Sequence, residues 1–144
     1  MKIKECMSRD VWTIREDTTL RSAAEMMAKH DLGSLPVAKD AKLVGMLTDR
    51  DIALRGIGQG CGPDVKAAQV MSKEILYCHA DDEIDGVLAN MGDQQVRRLV
   101  VIDEDRDLVG IVSIGDLAKH AQDQLGTSYV AISEPSDLHS QSLR

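Results

Sequence analysis

The chain repeats itself, and the repeat limits what it can fold into. With Met7 placed on Met71, the sequence aligns with itself without a gap as far as Ala38 on Ile102. Identities fall at Met7/Met71, Ser8/Ser72, Asp17/Asp81, Met27/Met91, Leu35/Leu99 and Val37/Val101. One extra residue near Arg106 moves the offset from 64 to 65, after which Leu43/Leu108, Val44/Val109, Gly45/Gly110 and Asp51/Asp116 match. Elsewhere apolar stays on apolar, as in Leu20/Ile84, Ala23/Val87, Met46/Ile111 and Ile52/Leu117. This is a duplication. Neither copy buries much surface alone, so the two are expected to pack as one pseudo-symmetric body.

Each copy has the same predicted course. A short extended piece comes first, residues 11–14 ("VWTI") and 75–78 ("ILYC"). An acidic turn follows, with N-cap candidates at Asp17 or Thr18 and at Asp81 or Asp82. Apolar residues then recur at helical spacing: Leu20, Ala23, Ala24 and Met27 in one copy, Ile84, Val87, Leu88 and Met91 in the other. Two apolar strands joined by a polar turn come next, at 34–38 with 43–47 and at 98–102 with 108–112. A second helix closes each unit, "DRDIALRGI" and "GDLAKHAQDQL". The expected divisions are a first domain at 1–58, a Gly-rich linker at 59–66, a second domain at 67–121 and a polar tail at 122–144.

The strand–helix junctions "TDRD" and "SIGD" admit two readings. Thr48 and Ser113 stand where helix N-caps belong, and Asp51 and Asp116 follow three residues later. That is a capping box with Asp in place of Glu, which stabilises a helix start without any further role. The same geometry also suits a ligand. Free backbone N–H groups and a hydroxyl favour a phosphate. A carboxylate one turn on repels phosphate but accepts two hydrogen bonds from a vicinal diol, so the set describes a nucleotide cleft. Arg97 and Arg98 add adjacent guanidinium groups able to clamp phosphate. Their counterparts are Gly33 and Ser34, so the two clefts differ chemically.

The doubled signature, "MS…LPV…LVGMLTDRDI" and "MS…RRLVVI…LVGIVSIGDL", resembles two successive CBS domains, the pair called a Bateman module. The resemblance covers residues 1 to about 121 and is similar to stand-alone bacterial CBS-pair proteins. It implies an α/β (α+β) fold of tandem CBS domains, each β-α-β-β-α, packed as a pseudo-twofold pair, and a homodimer of such pairs. It further implies clefts between the domains that bind an adenosine-containing ligand: AMP, ADP, ATP or S-adenosylmethionine. The motif aspartates Asp51 and Asp116 would hold ribose hydroxyls, and Thr48 and Ser113 would reach phosphate. Arg97 and Arg98 would contact phosphate, and Val11, Trp12, Ile75 and Tyr77 would flank the base. On this reading Thr48, Asp51, Arg97 and Arg98 form the better cleft, and Ser113 and Asp116 the second. Signalling would follow from a change of shape. The rival is a ligand-free dimeric scaffold, or stress-related interaction protein, whose motifs only cap helices.

Composition narrows the remaining classes. The net charge of −7 argues against nucleic acid as a partner. No apolar run is long enough for a membrane span, and the first residues lack a secretory signal, so a cytoplasmic protein is expected. Cys6, Cys61 and Cys78 form no CxxC pair, and the histidines show no metal spacing, so no metal and no required cofactor are expected. Cys61 is a candidate cross-linking thiol, against the simpler reading of an ordinary cysteine, and Cys78 reads as a small core hydrophobe. Asp103, Glu104, Asp105 and Asp107 read as a solvated turn. There is no G-x-S-x-G, Walker A loop or H-E-x-x-H, so the chain is not expected to be an enzyme.

Overall fold

The computed structural model describes residues 1–120 and 131–132. Within them the elements run α1 (Leu20–His30), β1 (Ser34–Lys39), β2 (Lys42–Thr48), α2 (Asp49–Asp51), β3 (Tyr77–His79), α3 (Ile84–Gln94), β4 (Arg98–Ile102), β5 (Leu108–Ser113) and α4 (Ile114–Ala118). The chain forms two compact units that interleave along the sequence. The first-repeat unit comprises Trp12–Leu76 with Arg106–Leu108. The second-repeat unit comprises Met1–Val11, Tyr77–Asp105 and the described residues from Val109 on.

The first-repeat unit is built on the antiparallel hairpin β1–β2, in which Ser34 faces Thr48 and Lys39 faces Lys42. Its turn places Asp40 and Ala41 at φ 50° and 67°, the left-handed pair that matches the twist of a two-residue hairpin. The expected strand at 11–14 is reduced to one residue: Ile14 donates its N–H to Pro36 and accepts the N–H of Ala38. Trp12 stands outside the ladder, and its ring stacks on His30. α1 is capped by Thr19, not by Asp17 or Thr18, through the N–H of Ser22. Leu20, Ala23 and Met27 are buried, whereas Ala24 is exposed. They close over Ile14, Leu35, Val37, Leu47, Ala67, Val70 and Met71.

After Asp51 the backbone widens into π-helix over Ile52–Gly56, then tightens into a 3-10 turn over Ile57–Gln59. The helical path therefore runs into the Gly-rich stretch and stops at Gly60, whose φ of 84° is left-handed. Gly62, Pro63 and Asp64 beyond it are exposed, and the chain rejoins the core at Ala67. The carbonyls of Pro63 and Val65 accept the N–H groups of Arg21 and Leu20 at the start of α1.

The second-repeat unit orders its sheet β3–β4–β5, with β3 parallel to β4 (Tyr77 opposite Val100, His79 opposite Ile102). Its first strand thus starts two residues later than the expected 75–78. α3 is preceded by Glu83 as N-cap, with no side-chain cap bond; the Glu83 carboxylate pairs with the Met1 amino group, and the Asp82 carboxylate accepts the N–H of His79. The core gathers Cys78, Ile84, Val87, Leu88, Met91, Leu99, Val101, Val112 and Leu117. Ile3 is fully buried there, and Ile132 packs against the same cluster, with Gln95 donating to the carbonyl of Ala131. The expected continuation of the last helix beyond residue 120, and the tail at 122–144 apart from residues 131–132, lie outside the described residues.

The repeated Met-Ser dipeptide explains the glycine of the signature. Ser8 bridges Ile111 in one unit and Ser72 bridges Met46 in the other. A Cβ on Gly110 would stand 2.5 Å from Met7 Sδ and 2.9 Å from the Ser8 carbonyl oxygen. On Gly45 it would stand 2.6 Å from Met71 Sδ and 3.0 Å from the Ser72 carbonyl oxygen. Only glycine admits that approach. Each repeat's leading segment thus packs into the unit built on the other repeat's sheet.

Candidate functional site

Both junction motifs fold as closed capping boxes. Thr48 Oγ1 accepts the N–H of Asp51 and Asp51 Oδ2 accepts the N–H of Thr48, each at 3.0 Å. Ser113 Oγ accepts the N–H of Asp116 at 3.1 Å, and Asp116 Oδ2 accepts the N–H of Ser113 at 2.9 Å. Each box engages Oδ2 of its aspartate, and both aspartates stay partly exposed. Asp51 Oδ1 lies 3.9 Å from the guanidinium of Arg55, one turn on.

The residue that leads into the strand is tied to the same junction. The N–H of Asp49 donates to the carbonyl of Gly33 at 3.0 Å, and the N–H of Ile114 donates to the carbonyl of Arg97 at 2.8 Å. Arg97 and Arg98 therefore stand with Ser113 and Asp116 in the second-repeat unit. Thr48 and Asp51, with which the sequence reading grouped them, stand with Gly33 and Ser34 in the first-repeat unit. The backbone bond to Ile114 is the physical reason for that partnering. Tyr77 joins Arg97 and Arg98 in the second-repeat unit, opposite Val100 in the middle of β4. Its ring meets His79 edge-on at 5.6 Å. Val11 belongs to that unit, whereas Trp12 and Ile75 belong to the first-repeat unit.

The surroundings of the two boxes differ in charge. Where one unit has Arg97, the other has Gly33, and a Cβ there would stand 3.5 Å from Asp49 Oδ2. Where one has Asp49, the other has Ile114. Cys6 also adjoins the second motif: burial first, and the Asp116 carboxylate second, push its thiol above the ordinary range. Cys78 is buried in the core and its thiol is pushed up to about 12, chiefly by burial.

Two cavities lie away from the motifs, at the hairpin turns. One, of 550 Å³, is lined by Thr13, Arg15, Asp17, Lys39, Asp40 and Leu108. The other, of 480 Å³, is lined by His79, Asp81, Asp103, Glu104 and Asp105. The turns stand about 20 Å from the motif ends of their strands, counted along the strand. Neither cavity is therefore part of a junction site. The Asp103 carboxylate accepts the N–H of Asp105, and Asp107 pairs with Lys42.

The repeat, the doubled box and the close-approach glycines match a known family. The CBS domain family model matches residues 3–57 and 67–123. The chain belongs to the CBS domain family. It carries two CBS domains in tandem, a Bateman module, in the α/β form of that fold. Among relatives, the CBS domain-containing protein YhcV of Bacillus subtilis is 39% identical over 116 residues, 81% of this chain and 82% of that one. Hypoxic response protein 1 of Mycobacterium tuberculosis is 39% identical over 140 residues, 95% of this chain and 97% of that one. A crystal structure of Hypoxic Response Protein I with two coordinated zinc ions superposes with a TM-score of 0.76 and 39% identity, covering 83% of this chain and 98% of that one. The CBS pair of MJ0100, in complex with 5'-methylthioadenosine and S-adenosyl-L-methionine, superposes with a TM-score of 0.73 and 26% identity, covering 86% and 98%. No described helix of this CBS pair is long and apolar enough to cross a membrane.

Sequence reasoning missed His30, whose stack on Trp12 spans 18 positions without a local pattern, and the role of Asp49 beside Gly33. The signal for the second was present in the alignment of the repeats, which sets Gly33 against Arg97 and Asp49 against Ile114.

Proposed function

We propose that this CBS pair is a non-catalytic, cytoplasmic regulatory sensor that binds an adenosine-containing ligand at its motifs. AMP, ADP, ATP and S-adenosylmethionine are the candidates. Occupancy is passed on by a conformational change within a homodimer. The carrying observation is the box itself, because each aspartate spends one carboxylate oxygen on the helix start and keeps a second for a ribose diol. Arg97 and Arg98 make the motif of Ser113 and Asp116 the phosphate-accepting one. Gly33 and Asp49 suit the motif of Thr48 and Asp51 to a nucleoside without phosphate. The nucleosides held by the MJ0100 pair support the ligand class. A ligand acts on the protein only by binding two states unequally, so the signal requires a second conformation or dimer geometry.

The closed boxes also support a second reading, in which the motifs are caps on a scaffold. Asparagine separates the two, since Asp116→Asn keeps an acceptor for the Ser113 N–H and removes the charge that strengthens a bond to a diol. Thermal unfolding of nucleotide-stripped protein is the test. At a hundred times its dissociation constant a ligand adds about 2.7 kcal/mol, which raises the midpoint by about 5–10 °C. The expected result is such a rise with one of AMP, ADP, ATP or S-adenosylmethionine, reduced in Asp116→Asn or Asp51→Asn while the unliganded midpoint holds. A flat response across the panel establishes the scaffold.

A further inference from the structure

The two cavities at the hairpin turns are one cavity formed twice. At the 64-residue offset of the repeat, Arg15, Asp17, Lys39 and Asp40 of the first fall on His79, Asp81, Asp103 and Glu104 of the second. Each lies between the acidic turn before the unit's long helix and the turn of its hairpin, wholly inside one unit. Their volumes, 550 and 480 Å³, fall in the range of small-molecule sites.

The hollow is duplicated and its charge is not. In the first-repeat unit the cations Arg15 and Lys39 share the walls with Glu16, Asp17 and Asp40. Where that cavity has Glu16 and Lys39, the other has Ala80 and Asp103, and its walls are acidic apart from His79. Arg15 pairs with Asp17 at 3.4 Å. Lys39, Glu16 and Asp40 form no ion pair among the described residues. Ile14 bridges Val37 in parallel, so Glu16 and Lys39 each stand two residues beyond the bridged pair, on the two segments that wall the cavity. Opposite charges are thus held level with each other and apart. Beneath them Ile14 is buried, and Ala38 and Leu108 are partly buried, which gives the hollow an apolar floor.

A molecule that carries both charges on adjacent groups and an apolar body fits such a site. A carboxylate only accepts hydrogen bonds and an ammonium only donates them, so the two ends cannot be exchanged. We propose that the first-repeat cavity is a second ligand site, selective for a free α-amino acid with an apolar side chain. Its ammonium meets Glu16 and Asp40, its carboxylate meets Lys39, and its side chain lies on Ile14 and Leu108. The second-repeat cavity has no cation at the position of Lys39 and no acid at that of Glu16, and it does not take this ligand. The site is at the far end of the strands from Thr48 and Asp51, and it stands whether or not the motifs bind a nucleoside.

Amide NMR on the nitrogen-labelled full chain tests it, with L-leucine as the probe. Isocaproate, which lacks the ammonium, and isoamylamine, which lacks the carboxylate, are the controls. Leucine is expected to give saturable shifts at residues 13–17 and 38–41, and each control to bind at least roughly ten-fold more weakly, the scale of one charge-assisted contact. Lys39→Asp, which installs the second repeat's residue, and Glu16→Gln, which keeps the shape and removes the charge, should each weaken leucine by roughly ten-fold or more. Lys39 is exposed, so its replacement is expected to leave the unfolding midpoint in place. Three results overturn the site: no shift at those residues with leucine, methionine or phenylalanine; isocaproate binding as tightly as leucine; or wild-type leucine affinity in folded Lys39→Asp. None of the three bears on the nucleotide panel, which tests the motifs separately.

Discussion

The two units share a helix start and differ in almost everything around it. Both close the box with the same pair of hydrogen bonds, and both press a Met-Ser segment onto a glycine of the second hairpin strand. Beside one box stand two arginines and an isoleucine; beside the other stand Gly33, Ser34, Asp49 and a tryptophan stacked on histidine. After one box the helix remains α over its described length, and after the other it widens into a π-turn. What the backbone requires is duplicated, and what surrounds each box is not. A residue common to both repeats is therefore first a residue of the fold, and the chemistry is to be sought where the repeats disagree.

The sharpest way to break the comparison is at the shared glycines. A Cβ on either meets both a methionine sulfur and a backbone carbonyl, and the carbonyl cannot swing aside. Gly110→Ala and Gly45→Ala are each expected to cost about 1–3 kcal/mol, the range of overpacked cores. Urea unfolding checks it. A large cost at one glycine and none at the other would show that the units are not built alike.

Less drastic is the exchange of charge. Arg97→Gly gives the second motif the first motif's residue, and it is expected to weaken AMP binding by about ten-fold through loss of a charge-assisted contact. Calorimetry with AMP and adenosine in parallel sharpens the point, since adenosine affinity should hold. Equal losses for both would place the arginine in the fold and not in the discrimination.

The smallest effect concerns the cores. Cys78 stands where the other repeat has Ile14, and its thiol is pushed up from 9.0 to about 12. Below about pH 8 the thiol is protonated in both folded and unfolded chains and contributes no pH dependence. Above that, the unfolded chain releases the proton and the folded chain retains it, so stability falls as pH rises toward about 12. Cys78→Val should flatten that alkaline limb in urea titrations at successive pH values. An unchanged limb would assign it to other groups.

Much of this was legible before any coordinates. Register and polarity exposed the duplication, and the S/T-x-x-D spacing led to both boxes, because capping is a local affair of three residues. The leading segments were not legible in the same way. Ile3 and Met7 are apolar residues with no partner named in their own neighbourhood, and only the folded chain shows that their cores are those of Cys78 and Gly110. The bond that ties Arg97 to Ile114 was not legible, since a backbone carbonyl leaves no mark on composition. Trp12 read as a strand residue from its β-branched neighbours. Its real partner was a histidine on a helix.

The exchange of leading segments has a bearing on ancestry. A chain holding a single repeat would carry a Met-Ser arm suited to another sheet and a sheet in want of another arm. It could fill its core only by trading arms with a second copy of itself. Duplication within one reading frame supplies each unit with the other repeat's arm, and so leaves the residues around each motif free to differ without loss of that arm.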